Sequence, residues 1–190
     1  TTPPIAVIDI GATFIRMLIA EKRGAKGIAI LEKVVQSVAL GRDIVADGRI
    51  SNATVEQCVT ILKSFRHLLD EYKISTGSVT AVATATLDHA DNSEVFLDRI
   101  STSSHIDFRL LDQGQIGYYY HLAFRALKDR KNKWEKGESI VLEIGGLNCG
   151  MLCRKDGEIR FVQTYTVGSL QLRKQMEEGG FKQQQLSALA

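Results

Sequence analysis

The chain has 190 residues, a net charge of +2, 44% hydrophobic residues and 24% charged residues. This is an ordinary globular composition, with length for one large domain or two small ones. So small a charge gives no argument for nucleic acid or an anionic membrane, no apolar run approaches the ~20 residues that span a bilayer, and the N-terminus has no signal-peptide pattern.

Residues 5–20, Ile-Ala-Val-Ile-Asp-Ile-Gly-Ala-Thr-Phe-Ile-Arg-Met-Leu-Ile-Ala, are two apolar runs joined by a small turn, the pattern of a hairpin. Residues 28–40, rich in Val and Ile, predict a third strand. Leu40–Ser51 reads as a turn-rich loop. Ser51 or Asn52 then caps a helix whose buried face carries Val55, Val59, Leu62, Phe65, Leu68 and Leu69. Val79–Ala85 predicts a strand, residues 91–102 a helix capped near Asp91 or Asn92, Ile106–Leu111 a strand and Gly114–Lys128 a helix. Three strands followed by alternating helices and strands give a mixed sheet with helices packed on it.

Between residues 125 and 138, Arg125, Lys128, Arg130, Lys131, Lys133 and Lys136 outnumber Asp129, Glu135 and Glu138. The stretch reads as a solvated helix end and connector, with phosphate contact as the alternative, and Trp134 packs against a domain rim. Strands at 139–144, 149–154 and 158–166, a Lys-Asp-Gly turn at 155–157 and a helix from about 168 complete the chain.

Three cysteines cannot all pair with one another, which fits a reducing, cytoplasmic setting. Cys149 and Cys153 share a strand face at roughly 13 Å, given ~3.3 Å per residue, too far for a disulfide. They read as small packing residues. His67, His89, His105 and His121 have no metal spacing. Tyr118, Tyr119, Tyr120 and His121 could stack on a nucleotide, but on a helix two of them face the core.

One phrase occurs twice. Residues 140–153, Ile-Val-Leu-Glu-Ile-Gly-Gly-Leu-Asn-Cys-Gly-Met-Leu-Cys, repeat the plan of residues 5–20: an apolar run ending in an acid, then Ile-Gly, a small turn and a second apolar run. An acid at a strand end before a Gly turn brings a carboxylate and backbone N–H groups together, a combination suited to Mg²⁺ and phosphate. Each copy continues with a third strand and a helix. The expected organisation is residues 1–128 as a first domain, 129–138 as a basic connector and 139–190 as the opening of a second, incomplete domain.

Duplicated domains with an acid-Gly hairpin resemble the actin-like (sugar kinase/heat-shock) superfamily, of ribonuclease H-like α/β fold with a mixed five-stranded sheet. Within it the chain resembles the exopolyphosphatase/guanosine pentaphosphate phosphohydrolase family, Ppx/GppA. Ala6–Glu21 is similar to Ala-Ile-Asp-Leu-Gly-Ser-Asn-Ser-Phe-Arg-Leu-Leu-Val-Ala-Glu, and Leu40–Ser51 to Leu-Gly-x-x-x-x-x-x-Gly-x-Leu-Ser. Val79–Asn92 resembles Val-Arg-Ala-Val-Ala-Thr-Ser-Ala-Leu-Arg-Asp-Ala-x-Asn. Val141–Gly150 resembles Val-Asp-Ile-Gly-Gly-Gly-Ser-Thr-Glu, and Thr166–Leu172 resembles Leu-Pro-Leu-Gly-Ala-Val-Arg-Leu.

The resemblance implies metal-assisted attack of water on a terminal phosphate, with a Glu at a helix start as base, and phosphate and metal held between the halves. It implies Mg²⁺ held by Asp9 and Glu143, with phosphate at Gly11, Thr13, Arg16, Thr84, Gly145, Gly146 and Asn148. The implied ligand is polyphosphate or guanosine penta- or tetraphosphate in a cytoplasmic protein, with a homodimer open and no nucleic acid or membrane partner.

Several polar positions of the family depart here: Phe14 for Ser, Ala85 for Ser, Asp88 for a phosphate-contacting Arg, Leu147 for Gly, Cys149 for Thr and Gly150 for Glu. The family's Gly-x-Glu-Glu-Ala-Arg aligns with Gly114–Tyr119, which puts Ile116 and Gly117 at the two glutamates, and no Asp or Glu occurs from Gln113 to Lys128. These losses point to a degenerate member, a pseudoenzyme. The alternative is an active hydrolase with Glu143, Asp112 or Asp88 as a rearranged base.

Overall fold

The computed structural model describes residues 3–24, 27–126 and 137–178. The basic run and Trp134 lie almost wholly outside the described residues. The chain divides into two compact units, Thr1–Leu111 and Asp112–Ala190.

The first unit is built on a five-stranded sheet of order β3-β2-β1-β4-β5. Its strands are β1 (Ile5–Ile10), β2 (Phe14–Lys22), β3 (Ile28–Ser37), β4 (Val79–Ala83) and β5 (Phe108–Leu110). β1, β2 and β3 pair antiparallel, while β4 joins β1, and β5 joins β4, in parallel. The two-residue period of a strand sets the faces. Ala6, Ile8 and Ile10 are buried, as are Ile15, Met17 and Ile19, while the alternate Ile5 and Val7 are exposed.

Helix α2 (Asn52–Glu71) starts as its sequence dictates, with the Ser51 hydroxyl accepting from the Thr54 N–H at 3.2 Å. It buries Thr54, Cys58, Val59, Leu62, Phe65 and Leu69, so the stripe is rotated slightly from the expected one, leaving Val55 and Leu68 half-buried. α3 (Ser93–Ser104) adds Phe96 and Ile100 to the same core. β4 ends at Ala83, two residues earlier than its pattern suggests, and the chain turns through a short 3₁₀ segment, Ala85–His89.

Residues 40–51, expected as a loop, open with helix α1 (Leu40–Asp47). Gly41 and Gly48 mimic turn signals, but Leu40 and Ile44 stand one helical turn apart and both are buried. Gly48, at φ +66°, ends the helix in the left-handed conformation that glycine adopts without strain.

The second unit holds α4 (Gln113–Ala126), then an antiparallel meander of β6 (Glu138–Ile144), β7 (Cys149–Lys155) and β8 (Glu158–Tyr165), then α5 (Ser169–Glu177). α4 covers one face of the meander, and on that face Leu152 and Arg154 are buried. The guanidinium of Arg154 donates to His121 Nδ1 at 3.2 Å and stacks 4.7 Å over the Phe124 ring, which accommodates its charge on the apolar side of the helix. Ile140, Leu142, Ile144, Phe161 and Tyr165 on the opposite face are exposed among the described residues.

The repeated phrase folds the same way twice. The Gly11 N–H donates to the Phe14 carbonyl at 3.0 Å, and the Gly145 N–H to the Asn148 carbonyl at 2.8 Å, three residues on in each case. The second residue of the helix after the third strand then docks on the next turn carbonyl. The Gly41 N–H of α1 donates to Ala12 at 2.7 Å, and the Leu170 N–H of α5 to Gly146 at 2.9 Å. The duplication therefore extends to individual hydrogen bonds, and the counterpart of α5 is α1.

Candidate functional site

In the first unit, Asp9, Gly11, Thr13, Arg16 and Thr84 gather at one end of the sheet, where β1 and β4 finish and β2 begins. The hairpin register sets Asp9 directly opposite Arg16. Arg16 Nε donates to both carboxylate oxygens, at 3.0 and 3.1 Å, and Nη2 to Oδ2 at 2.6 Å. A guanidinium fork on a carboxylate is among the strongest of protein hydrogen-bonding arrangements. The expected metal acid and the expected phosphate cation thus bind each other.

Gly11 has ordinary negative-φ backbone, a Cβ there would make only normal contact with the Phe14 carbonyl, and its N–H is engaged within the turn. The Thr13 carbonyl accepts from the Val38 N–H at 2.9 Å, tying the hairpin to the end of β3. Thr84 reaches the Ile10 carbonyl with both its N–H, at 3.3 Å, and its hydroxyl, at 3.4 Å. Asp88 is exposed on the 3₁₀ segment. Behind this end, Asp43 of α1 accepts from the Ser51 N–H at 2.9 Å. Burial raises its pKa, but the Ser51 and Thr54 hydroxyls, the Ser51 N–H and Arg42 together hold it below the usual carboxylate value.

In the second unit, Glu143, Gly145, Gly146 and Asn148 form the β6–β7 turn, and α5 begins against it. The Ser169 N–H donates to Gly145 and the Leu170 N–H to Gly146, each at 2.9 Å. Two of the N–H groups that a helix start offers to an anion are therefore engaged by turn carbonyls. Gly168 is buried where any Cβ would fall inside the Gly146 carbonyl, which explains a glycine at that position. Leu147, which replaces a family glycine, turns inward and is 1% exposed, so it anchors the turn in the core.

Glu143 accepts from the Tyr120 hydroxyl at 2.9 Å. Tyr120 reaches it by lying over Gly150, which pairs with Glu143 across the ladder; a Cβ on Gly150 would stand 2.7 Å from the tyrosine ring. Burial and then the Glu143 charge push the phenol pKa up, keeping it a donor.

Asp112 and Gln115 cap α4 reciprocally. The Gln115 N–H donates to Asp112 Oδ1 at 2.8 Å, and the Asp112 N–H to Gln115 Oε1 at 3.1 Å. Gly117 lies on the buried face of α4, where a Cβ would overlap the Val162 side chain of β8, with Cγ2 at 2.8 Å and Cγ1 nearer still.

Gln115 and Gly168 were not singled out from the sequence, and Tyr120 was weighed there only as a nucleotide-stacking or core-packing residue, not as a partner of Glu143. Only Tyr120 had a usable signal: it follows Gly117 by three residues and so shares its helix face.

The family model described as the Ppx/GppA phosphatase family matches residues 18–189. A Ppx/GppA family member from Aquifex aeolicus is 27% identical with a TM-score of 0.72; the alignment covers 90% of this chain and 53% of that one. An exopolyphosphatase from Cytophaga hutchinsonii is 24% identical with a TM-score of 0.79 over the same shares of the two chains, a likeness of fold. A bifunctional 3-dehydroquinate synthase/phosphatase of Fusobacterium nucleatum is 23% identical over 145 residues, 74% of this chain and 21% of that protein. The chain thus spans about half the length of the solved relatives and about a fifth of the curated one. The architecture is that of the actin-like α/β fold.

Proposed function

The chain belongs to the Ppx/GppA phosphatase family, and we propose that within it this chain is a degenerate member: it retains the phosphate-binding architecture and has lost the hydrolytic base. The observation that carries this reading is Gly117. A general base needs a proton-accepting side chain within hydrogen-bond reach of the attacking water. Position 117, which the family motif gives to glutamate, is a buried glycine whose side-chain space Val162 fills.

Of the three substitute acids, Asp112 and Glu143 are already engaged, and Asp88 stands exposed on its 3₁₀ segment. Asp112 caps α4, and Glu143 holds the Tyr120 hydroxyl. The residues present do not fit the Mg²⁺ implied by the family either. Both Asp9 oxygens face the Arg16 guanidinium, one Glu143 oxygen is taken by Tyr120, and no group of three His, Cys, Asp or Glu among the described residues is placed to hold a metal ion.

On this reading the protein binds a phosphate-bearing ligand, polyphosphate or a guanosine penta- or tetraphosphate, or a protein partner, and acts in regulation. All three cysteines are free, in keeping with a reducing cytoplasm, and no helix among the described residues is long and apolar enough to cross a membrane.

The test is phosphate release from polyphosphate and from guanosine pentaphosphate with Mg²⁺, using the protein at its full natural length, together with thermal shift by the same compounds. A ligand-induced shift without release is the expected result. Steady release that disappears in Glu143→Gln or Asp112→Asn would overturn the degenerate reading.

A further inference from the structure

We propose that the apolar face of the β6–β8 meander turned away from α4 is the seat of an amphipathic helix supplied by this same chain, from the segment that follows α5. The inference goes beyond the reading above and stands whether or not the hydrolytic base is lost.

Strand alternation puts Ile140, Leu142 and Ile144 of β6 on this face, and the ladder sets Cys153, Met151 and Cys149 of β7 opposite them. Phe161 and Tyr165 of β8 extend it beside Cys153 and Cys149, and Gln163, opposite Met151, adds a polar but uncharged group. Ile140, Leu142 and Ile144 are 66%, 61% and 69% exposed among the described residues. A contiguous apolar face of this kind marks a surface that another element covers.

The duplicated phrase identifies that element. Matching Asp9 with Glu143 and Gly11 with Gly145 puts Ala6, Ile8 and Ile10 on Ile140, Leu142 and Ile144. It puts Ile15, Met17 and Ile19 on Cys149, Met151 and Cys153. In the first unit these six residues are at most 1% exposed, because α2 packs on that side of the sheet with its stripe of Val59, Leu62, Phe65 and Leu69. The face that α2 occupies in the first copy is thus the face left open in the second.

Chain order points to the source. α2 starts at Asn52, directly after an α1 that ends at Asp47. The counterpart of α1 is α5, matched by the bonds from Gly41 to Ala12 and from Leu170 to Gly146. The counterpart of α2 therefore belongs after α5. α5 itself is not the cover, since it buries no residue and leaves Met176 exposed. A helix seated on the meander would also fix α5 from its far end, and so hold the Ser169 and Leu170 N–H groups on the Gly145–Gly146 turn. The segment should carry an apolar stripe at helical spacing, as α2 does.

A photocrosslinker reads the occupant directly. Tyr165→benzoylphenylalanine, made in the protein at its natural length, should give after irradiation an adduct within the same chain, at residues C-terminal to Glu178 and independent of dilution. The free thiols give a second readout that needs no substitution. Cys149 and Cys153 lie on the face, and both should react with a thiol reagent about 100-fold or more slower in the native than in the denatured protein, as buried Cys58 should. Adducts between two copies, adducts to residues before Glu178, protection lost on dilution, or Cys149 and Cys153 that react at the denatured rate would each overturn the proposal. None of these outcomes depends on phosphate release, so failure here leaves the degenerate reading to its own test.

Discussion

Gly117 places bare backbone against β8, and the space a side chain would need belongs to Val162. We predict that Gly117→Ala destabilises the protein by ~1–3 kcal/mol, as overpacking does, despite the better helix propensity of alanine. Gly117→Glu should cost more, because it also buries a carboxylate. Chemical denaturation would measure both, and Val162→Ala should relieve part of the Gly117→Ala cost through positive coupling in a double-mutant cycle.

His121 gives a second prediction at this scale. Its Nδ1 accepts from Arg154 and so must carry no proton there. Burial, then Arg154, then Arg125 lower its pKa below 6.5. The unfolded chain therefore takes up a proton first on acidification, so the contribution of His121 is fully present above about pH 6.5 and declines as pH falls below it. Melting temperatures between pH 7.5 and 5 should drop more for wild type than for His121→Gln. Equal slopes would show that His121 is not the titrating group. The Asp9–Arg16 pair was implicit in the sequence, because a three-residue turn between Ile10 and Phe14 fixes their register. The Tyr120–Glu143 bond was not, because it depends on how α4 docks on the meander.

At the scale of elements, the docking of the helix after each third strand depends on one close approach, and α5 shows it most sharply. Gly168→Ala would drive a methyl into the Gly146 carbonyl and break the bonds from Ser169 and Leu170. The expected loss is ~1–3 kcal/mol, with faster amide exchange at Leu170; unchanged exchange would mean that the turn can move aside. Ser51→Ala should cost ~1 kcal/mol through the lost α2 cap.

The strands were legible because apolar runs rich in Val and Ile are bounded by small turns, and α2 because its cap and stripe agree. α1 was hidden, since its short sequence carries Gly41 and is closed by Gly48, and its stability comes from burying Leu40 and Ile44 and from the Gly41 bond to Ala12, which are tertiary facts. β5 came out at three residues because Ile106 and Leu111 are buried outside the ladder, so apolar character there marks the core rather than strand pairing.

For the whole molecule, duplication explains both what persists and what has changed. The helix docking bonds and one acid per hairpin are present in both copies. Positions 117 and 150, where the family motif has glutamates, are glycines here, and Val162 and Tyr120 pack over them. On the proposed reading, a single glutamate at position 117 or 150 would therefore not by itself restore a base, because packing already occupies its space.

The most direct measurement is a single-turnover experiment with the full-length protein in excess over end-labelled polyphosphate and Mg²⁺, which removes product release as a limit on the observed rate. The account predicts no labelled phosphate above a protein-free control over several hours. Release that Glu143→Gln or Asp112→Asn abolishes would contradict it.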